Sequence, residues 1–218
     1  DKKCVVVFAS DNGICEEGVS GAPASVTITQ FLNMTKGLTG INVFSSQAGS
    51  DVILVDVGVN GDLPYDQIVN KKIRRGTRNM LKEAAMTRQE AVQALETGID
   101  MVRELVAQNY MVIGTGEMGI GNTSTSATVI MSLTGRSAEE VVGKGVGMLE
   151  PDYQHKKEVL KEVIKRRQPN PKDPIDVLSQ VGGYDIGAIA GVFLGCAYYK
   201  IPTVIDGVIS VAGALLAA

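Results

Sequence analysis

Residues 114–125 read GTGEMGIGNTST, after an apolar strand-like run and before a helix. Gly114, Gly116 and Gly119 match GxGxxG, the fingerprint of a dinucleotide-binding loop. That fingerprint also requires an acidic residue at the end of a second strand about 20 residues further on, to hold a ribose. Here that distance falls in GRSAEEVVG (135–143), a helix start, so an NAD-dependent dehydrogenase is the weaker reading. Glycines also serve tight packing, but here four of them surround one charged residue, Glu117, and lead into Asn122-Thr123-Ser124, an N-cap cluster. A helix N-terminus offers free N–H groups to an anion. Glu117 opposes a phosphate placed beside it and suits hydroxyls, an N–H or a cation. The loop therefore asks for a ligand with an anionic end and a hydroxylated or cationic end, such as a nucleotide bearing a pyridinium ring.

Working outward, four β-rich runs stand out: CVVVFAS (4–10), DVILVDVG (51–58), YMVIGTG (110–116) and PTVIDG (202–207), with a fifth strand possible near 67–73. Each is almost continuously apolar, as parallel strands covered on both faces are. Helical segments lie between them. Thr87 and Glu90 form a capping box ahead of Val92, Leu95, Ile99, Val102 and Val106 at helical spacing. Ser137 and Glu140 form a second box, and Asp173-Pro174 reads as an N-cap followed by a first-turn proline. The pattern predicts an α/β fold: an open, mostly parallel, Rossmann-like three-layer sheet with helices on both faces. In such sheets ligands bind beyond the C-terminal strand ends, where this chain places Asp11 and Gly13, Asp56 and Gly58, Gly114 to Gly121, and Asp206 and Gly207. QPNPKDP (168–174) is a proline-rich connection with no clear domain boundary, and there is no internal repeat.

Composition excludes several classes. The net charge of −3 over 218 residues provides no basic face for nucleic acid. Cys4, Cys15 and Cys196 are far apart and read as reduced cysteines in a cytoplasmic protein, with Cys4 and Cys196 buried. His155 is the single histidine, so a multi-histidine metal site is excluded and no metal is expected. The apolar stretch 186–199 is shorter than the ~20 residues of a membrane span, and 201–218 is interrupted by Asp206. Both read as buried elements of a soluble protein. The chain opens almost directly into a strand and ends in VISVAGALLAA without a cap, which predicts a fragment of a longer protein.

GTGEMGIGNTST resembles the GEMGIGNTT signature of the nicotinate-nucleotide–dimethylbenzimidazole phosphoribosyltransferase family. VVFASDNGICEEGVS resembles that family's ADHG…EGV segment. NMTKGLTGINVFSSQAG, VDVGV, KKIRRGTRNM, EAAMTRQEA, VVGKGVG, DPIDVLSQVGGYDIGAIAGVFLG and IPTVIDGVIS follow in the family's order, so the resemblance spans essentially the whole chain. It implies transfer of the 5-phosphoribosyl group of nicotinate mononucleotide to 5,6-dimethylbenzimidazole in making the lower-ligand nucleotide of cobalamin. It implies no cofactor, a cytoplasmic homodimer, and no nucleic-acid or membrane partner. Set against the family, residues 1–218 correspond to the large Rossmann-like domain, truncated at both ends, with the small domain largely missing and with it the glutamate proposed as catalytic base. The chain alone is then expected to turn over negligibly, and a non-catalytic nucleotide-binding module is the alternative.

Carried over by position, Glu117, Met118 and Gly119 match the substrate-contacting loop that runs on to Asn122, and Gly145 matches a phosphate-side glycine. Lys156 matches a lysine on the phosphate, although within HKKEVLKEVIKRR it reads by itself as a solvated lysine. Gln30 matches a residue of the benzimidazole pocket, and Asp206 an acid near the reaction centre that by itself reads equally as a helix cap. Two positions depart from the family: Asn12 replaces the usual histidine of ADHG, and Ala22 stands where some members have serine in the base pocket. With Met118 as a flexible wall, Ala22 points to a lower-ligand base that need not be dimethylbenzimidazole; the resemblance also admits phenols and purine-like bases.

Overall fold

The computed structural model describes residues 2–145 and 147–218. In chain order these form β1 (Lys2–Ser10), a 3-10 turn (Gly13–Glu17), α1 (Val26–Thr35), α2 (Gly40–Ala48), β2 (Asp51–Gly58), β3 (Val69–Asn70) and α3 (Arg88–Ala107). They continue with β4 (Tyr110–Met118), α4 (Asn122–Thr134), α5 (Ala138–Val141), α6 (Glu150–Arg167), α7 (Pro174–Val181), α8 (Tyr184–Tyr199), β5 (Thr203–Val204) and α9 (Val208–Ala217). The five strands form one sheet in the order β3-β2-β1-β4-β5, every pair parallel. The chain runs from β1 outward to β3 and then crosses to β4 on the other side of β1. The crevice beyond β1 and β4 is thus the topological switch point, where open α/β sheets bind ligands.

The side chains of β1 explain why its sequence is almost unbroken in apolar residues. Cys4, Val6 and Phe8 face a large core with α3, α7, α8 and α9, while Val7 and Ala9 face a smaller one with Phe31 of α1 and Leu54 of β2. Successive strand residues point to opposite faces, so a strand covered on both sides must be apolar at every position. The larger face depends on a close crossing of α3 and α8. A Cβ at Gly98 would lie 2.0 Å from the Ala188 carbonyl oxygen, and one at Gly191 would lie 2.0 Å from that of Leu95.

The Thr87 box is present: Thr87 Oγ1 accepts from Glu90 N at 3.1 Å and Glu90 Oε2 accepts from Thr87 N at 2.7 Å. Asp173 caps α7 by accepting from the backbone N–H groups of Ile175 and Asp176. The Ser137–Glu140 box is present as well and heads a single helical turn. Two local expectations are corrected. The run 202–207 yields only a two-residue edge strand, because Asp206-Gly207 turns the chain into α9 and leaves Val204 and Ile205 half exposed. The Asn122-Thr123-Ser124 cluster does not cap α4; Gly121 occupies the N-cap at φ 89°, and the Asn122 and Thr123 side chains bond elsewhere. Among the described residues no helix is long and apolar enough to cross a membrane.

Candidate active site

The glycine loop is held from several sides before any ligand is considered. Asn12, just beyond β1, donates from Nδ2 to the Ile120 carbonyl at 3.2 Å and to that of Ser10 at 3.4 Å. Thr27 of α1 accepts from Ile120 N at 3.0 Å, and Cys15 Sγ donates to the Ile120 carbonyl at 3.2 Å. Gly119 is obligatory for this contact, since a Cβ there would lie 2.3 Å from the Ser10 carbonyl oxygen. The loop is thereby pressed against the end of β1, and it delivers two consecutive residues, Asn122 and Thr123, into different surroundings.

Asn122 turns toward carboxylates. Its Nδ2 donates to Glu117 Oε2 at 2.5 Å and to Asp185 Oδ2 at 3.0 Å. Asp185, in the first turn of α8, is fully buried, and its carboxyl is pushed up to about 7 by that burial, with the nearby Glu117 charge adding to the effect. Glu117, at the end of β4, is half-buried; burial raises its carboxyl and so does the charge of Asp206, while the Asn122 hydrogen bond opposes both. Asp206 is exposed in the turn between β5 and α9 and makes no cap bond to α9, whose N-cap is Gly207.

Thr123 turns toward a cation. Its Oγ1 accepts from Lys156 Nζ at 2.9 Å. Lys156 is only 1% exposed, so its reading as a solvated lysine is overturned. It lies on the face of α6 that also buries Val159, Leu160 and Val163, a helical spacing visible in the sequence beneath the surrounding charges. Burial pushes its ammonium down to about 8. Among the described residues no carboxylate pairs with it in a salt bridge. Gly145, at φ 71°, completes this corner: a Cβ there would sit 3.3 Å from Thr123 Oγ1 and 3.6 Å from Lys156 Nζ. Val146 of the same VVGKGVG motif lies outside the described residues.

The remaining candidates lie around these two corners. A cleft of about 1030 Å³ runs beyond β1, β2 and β3, with Asp11, Asn12, Ala22, Asn60 and Arg74 in its walls. Ala22 belongs to that cleft, whereas Glu117, Gly145 and Lys156 are not part of its lining. Gln30 is half-buried on α1, the helix whose Thr27 grips the loop, and Met118 packs with the smaller core on that side. Asn122 and Gly119 are buried within the loop itself. Asp185 and Thr123 are the participants that sequence reading passed over. An acid heading the apolar run IGAIAGVFLG was the available signal for Asp185.

Comparison with known proteins matches residues 1–218 to the family model DBI_PRT, described as a phosphoribosyltransferase. The chain belongs to this family. A nicotinate-nucleotide–dimethylbenzimidazole phosphoribosyltransferase of Clostridium acetobutylicum is 53% identical over 215 residues, 99% of this chain and 61% of its own length. One of Clostridium perfringens is 50% identical over 217 residues, 100% of this chain and 60% of its own. The crystal structure of CobT from Thermus thermophilus superposes with a TM-score of 0.95 at 38% identity, covering 100% of this chain and 65% of that one. The chain thus spans about three fifths of the length of the curated phosphoribosyltransferases it matches.

Proposed function

We propose that this chain is the nucleotide-binding, Rossmann-like part of an enzyme that transfers the 5-phosphoribosyl group of nicotinate mononucleotide to 5,6-dimethylbenzimidazole or a related base. The products are α-ribazole phosphate and nicotinate. The observation that carries the reading is the division at the start of α4: Thr123 joins a buried, carboxylate-free Lys156 beside Gly145, and Asn122 joins the carboxylates. A buried ammonium is costly unless an anion neutralises it. Lys156 and the positive N-terminal end of α4 then hold the phosphate, and Glu117 with Asp206 face the ring and ribose. The printed names of the relatives agree with this substrate pair.

The chemistry suits so sparse a site. Nicotinate leaves from a pyridinium and needs no general acid. The azole nitrogen attacks C1 of the ribose from the opposite face, forming the new C–N bond as the old one breaks and inverting the centre. The azole N–H proton passes to a carboxylate base. Positive charge developing on the ribose carbon is stabilised by Glu117 and Asp206. Gln30, Ala22 and Met118 line the base pocket in this reading, with Gly119 and Asn122 framing the loop. The three free, well-separated cysteines favour a reducing cytoplasm, and the family resemblance favours a homodimer.

The test is formation of α-ribazole phosphate from nicotinate mononucleotide and dimethylbenzimidazole, by residues 1–218 and by a version carrying the further length of the relatives. A positioned base is worth ~10²–10⁴-fold in rate. The expected result is turnover by the longer version and negligible turnover by the shorter. Comparable rates would place the base within these residues, with Asp206 the leading candidate. No product from either would remove the assignment.

A further inference from the structure

Two carboxylates share one amide group in this site. Asn122 Nδ2 spans Glu117 Oε2 and Asp185 Oδ2. Among the described residues neither carboxylate has a lysine or arginine partner. Two ionised carboxylates held by one neutral donor repel each other, and burial penalises both charges. One of them must carry a proton over much of the accessible pH range. A second observation says which. Asn12 is 3% exposed and, among the described residues, its Oδ1 has no hydrogen-bond partner. A buried acceptor left unpaired forfeits its hydration without replacement. Asp185 Oδ1 and Asn12 Oδ1 border the same gap above Gly183: a Cβ there would lie 2.5 Å from the first and 3.0 Å from the second, and Asp185 Oδ1 also accepts from Ile186 N at 3.0 Å. A proton on Asp185 would supply the donor that Asn12 lacks.

We propose that Asp185 is a positioning residue that keeps its proton up to the neutral range, donates it to Asn12 Oδ1, and leaves Glu117 as the charged member of the pair. Exposure supports the division, since Asp185 is fully buried whereas Glu117 sits half-buried at the strand end. The upward push on Asp185, to about 7, agrees with it. Glu117 faces Asp206 from the β5–α9 turn and Asn122 from α4. Asp185 faces Glu117, Asn122, the Asn12 side-chain carbonyl beyond β1 and the Ile186 N–H, whose hydrogen bond, like that of Asn122, pulls against the burial. Lys156 of α6 lies on the other side of Thr123 and bonds there. The consequence is that Glu117 presents a full negative charge in a fixed direction while the pair as a whole carries one charge. Within the reading proposed above, that charge faces the pyridinium of the nucleotide. This last step rests on that reading; the protonation state does not.

The experiment follows the carboxyl carbons of the ligand-free chain by NMR across a pH titration, with label in aspartate and then in glutamate. The expected result is an aspartate carboxyl that keeps its proton to about pH 7, is missing in Asp185→Asn, and persists in Glu117→Gln with its midpoint shifted downward. Asp11 is also raised, by burial, but it accepts from Asn60 N and Glu117 does not act on it, so its midpoint stays fixed in Glu117→Gln. If Asp185→Asn fails to fold, that downward shift in Glu117→Gln is the deciding measurement. A signal that survives in Asp185→Asn, an unshifted midpoint in Glu117→Gln, or a glutamate as the proton holder overturns the proposal. Calorimetry with nicotinate mononucleotide then tests positioning. Asp185→Ala should weaken binding by about tenfold and Asp185→Asn should recover most of that loss; equal loss in both variants would overturn the positioning role. If neither this chain nor the version carrying the further length of the relatives binds the nucleotide, the functional reading fails while the titration still decides the proton.

Discussion

Asn122 and Thr123 are adjacent in sequence and share the first turn of α4, yet one sits among carboxylates and the other beside a buried ammonium. The acidic corner is assembled from β4, α4 and α8, and the basic corner from α4, α6 and the left-handed glycine at 145. Each corner holds charge that its own residues do not neutralise. On the proposed function, the difference explains why a carboxylate sits in the glycine loop: the phosphate is given its own corner, one residue further along the helix. A ligand with opposite charges at its two ends satisfies both.

The largest effect should come from a change that breaks both corners together. Gly119→Ala places a methyl group against the Ser10 carbonyl and beside Asn12 and Asp185, where backbone rather than a flexible side chain must move. It should cost more than about 3 kcal/mol in urea unfolding, and ligand binding should be lost with it. A variant of near wild-type stability would mean the loop is not pressed onto β1 as described.

The corners should separate in the pH dependence of stability. The Asp185 carboxyl is higher in the folded chain than its ordinary 3.8, so the folded state binds more protons there and stability falls as pH rises from about 4 to 7. The Lys156 ammonium is lower than its ordinary 10.5, so the unfolded state binds more protons and stability rises from about pH 8 to 10.5. Each changes stability by on the order of 3–5 kcal/mol across its window. Asp185→Asn should flatten only the lower window and Lys156→Met only the upper, read from urea midpoints at a series of pH values. If either substitution flattened both windows, the corners would be one coupled site.

A smaller effect is expected from Thr123→Val, which keeps the shape and removes the acceptor for Lys156 Nζ. It should cost about 1 kcal/mol and leave the aspartate titration unchanged. A shift in that titration would show that the two corners communicate through the helix turn.

Much of this was legible in the chain itself. The run 51–58 coincides with β2 to the residue, and the Thr87 box heads the longest helix, because local pattern and tertiary need agree there. The glycine loop announced the strand–helix turn between β4 and α4. What stayed hidden were pairings across long separations. Asp185 lies 63 residues from Asn122, and no local rule brings them together. Lys156 was obscured by the charges around it, although its spacing to Val159, Leu160 and Val163 marked an inward face. The run 202–207 read as a full strand because apolar content does not reveal that an edge position ends after two residues.

The most direct test of the two-corner account is a grid of calorimetric titrations. Nicotinate mononucleotide, nicotinate riboside and ribose 5-phosphate are each titrated into wild type, Lys156→Met and Glu117→Gln, in a version of the protein that binds the nucleotide. A charge-assisted hydrogen bond is worth roughly 1.5–3 kcal/mol, or about 10- to 100-fold in affinity. Lys156→Met should impose that loss on the two phosphorylated ligands and spare the riboside. Glu117→Gln should weaken the two ligands that carry the pyridinium and spare ribose 5-phosphate. If each variant weakened all three ligands equally, the division of the site into an anion corner and a cation corner would be wrong.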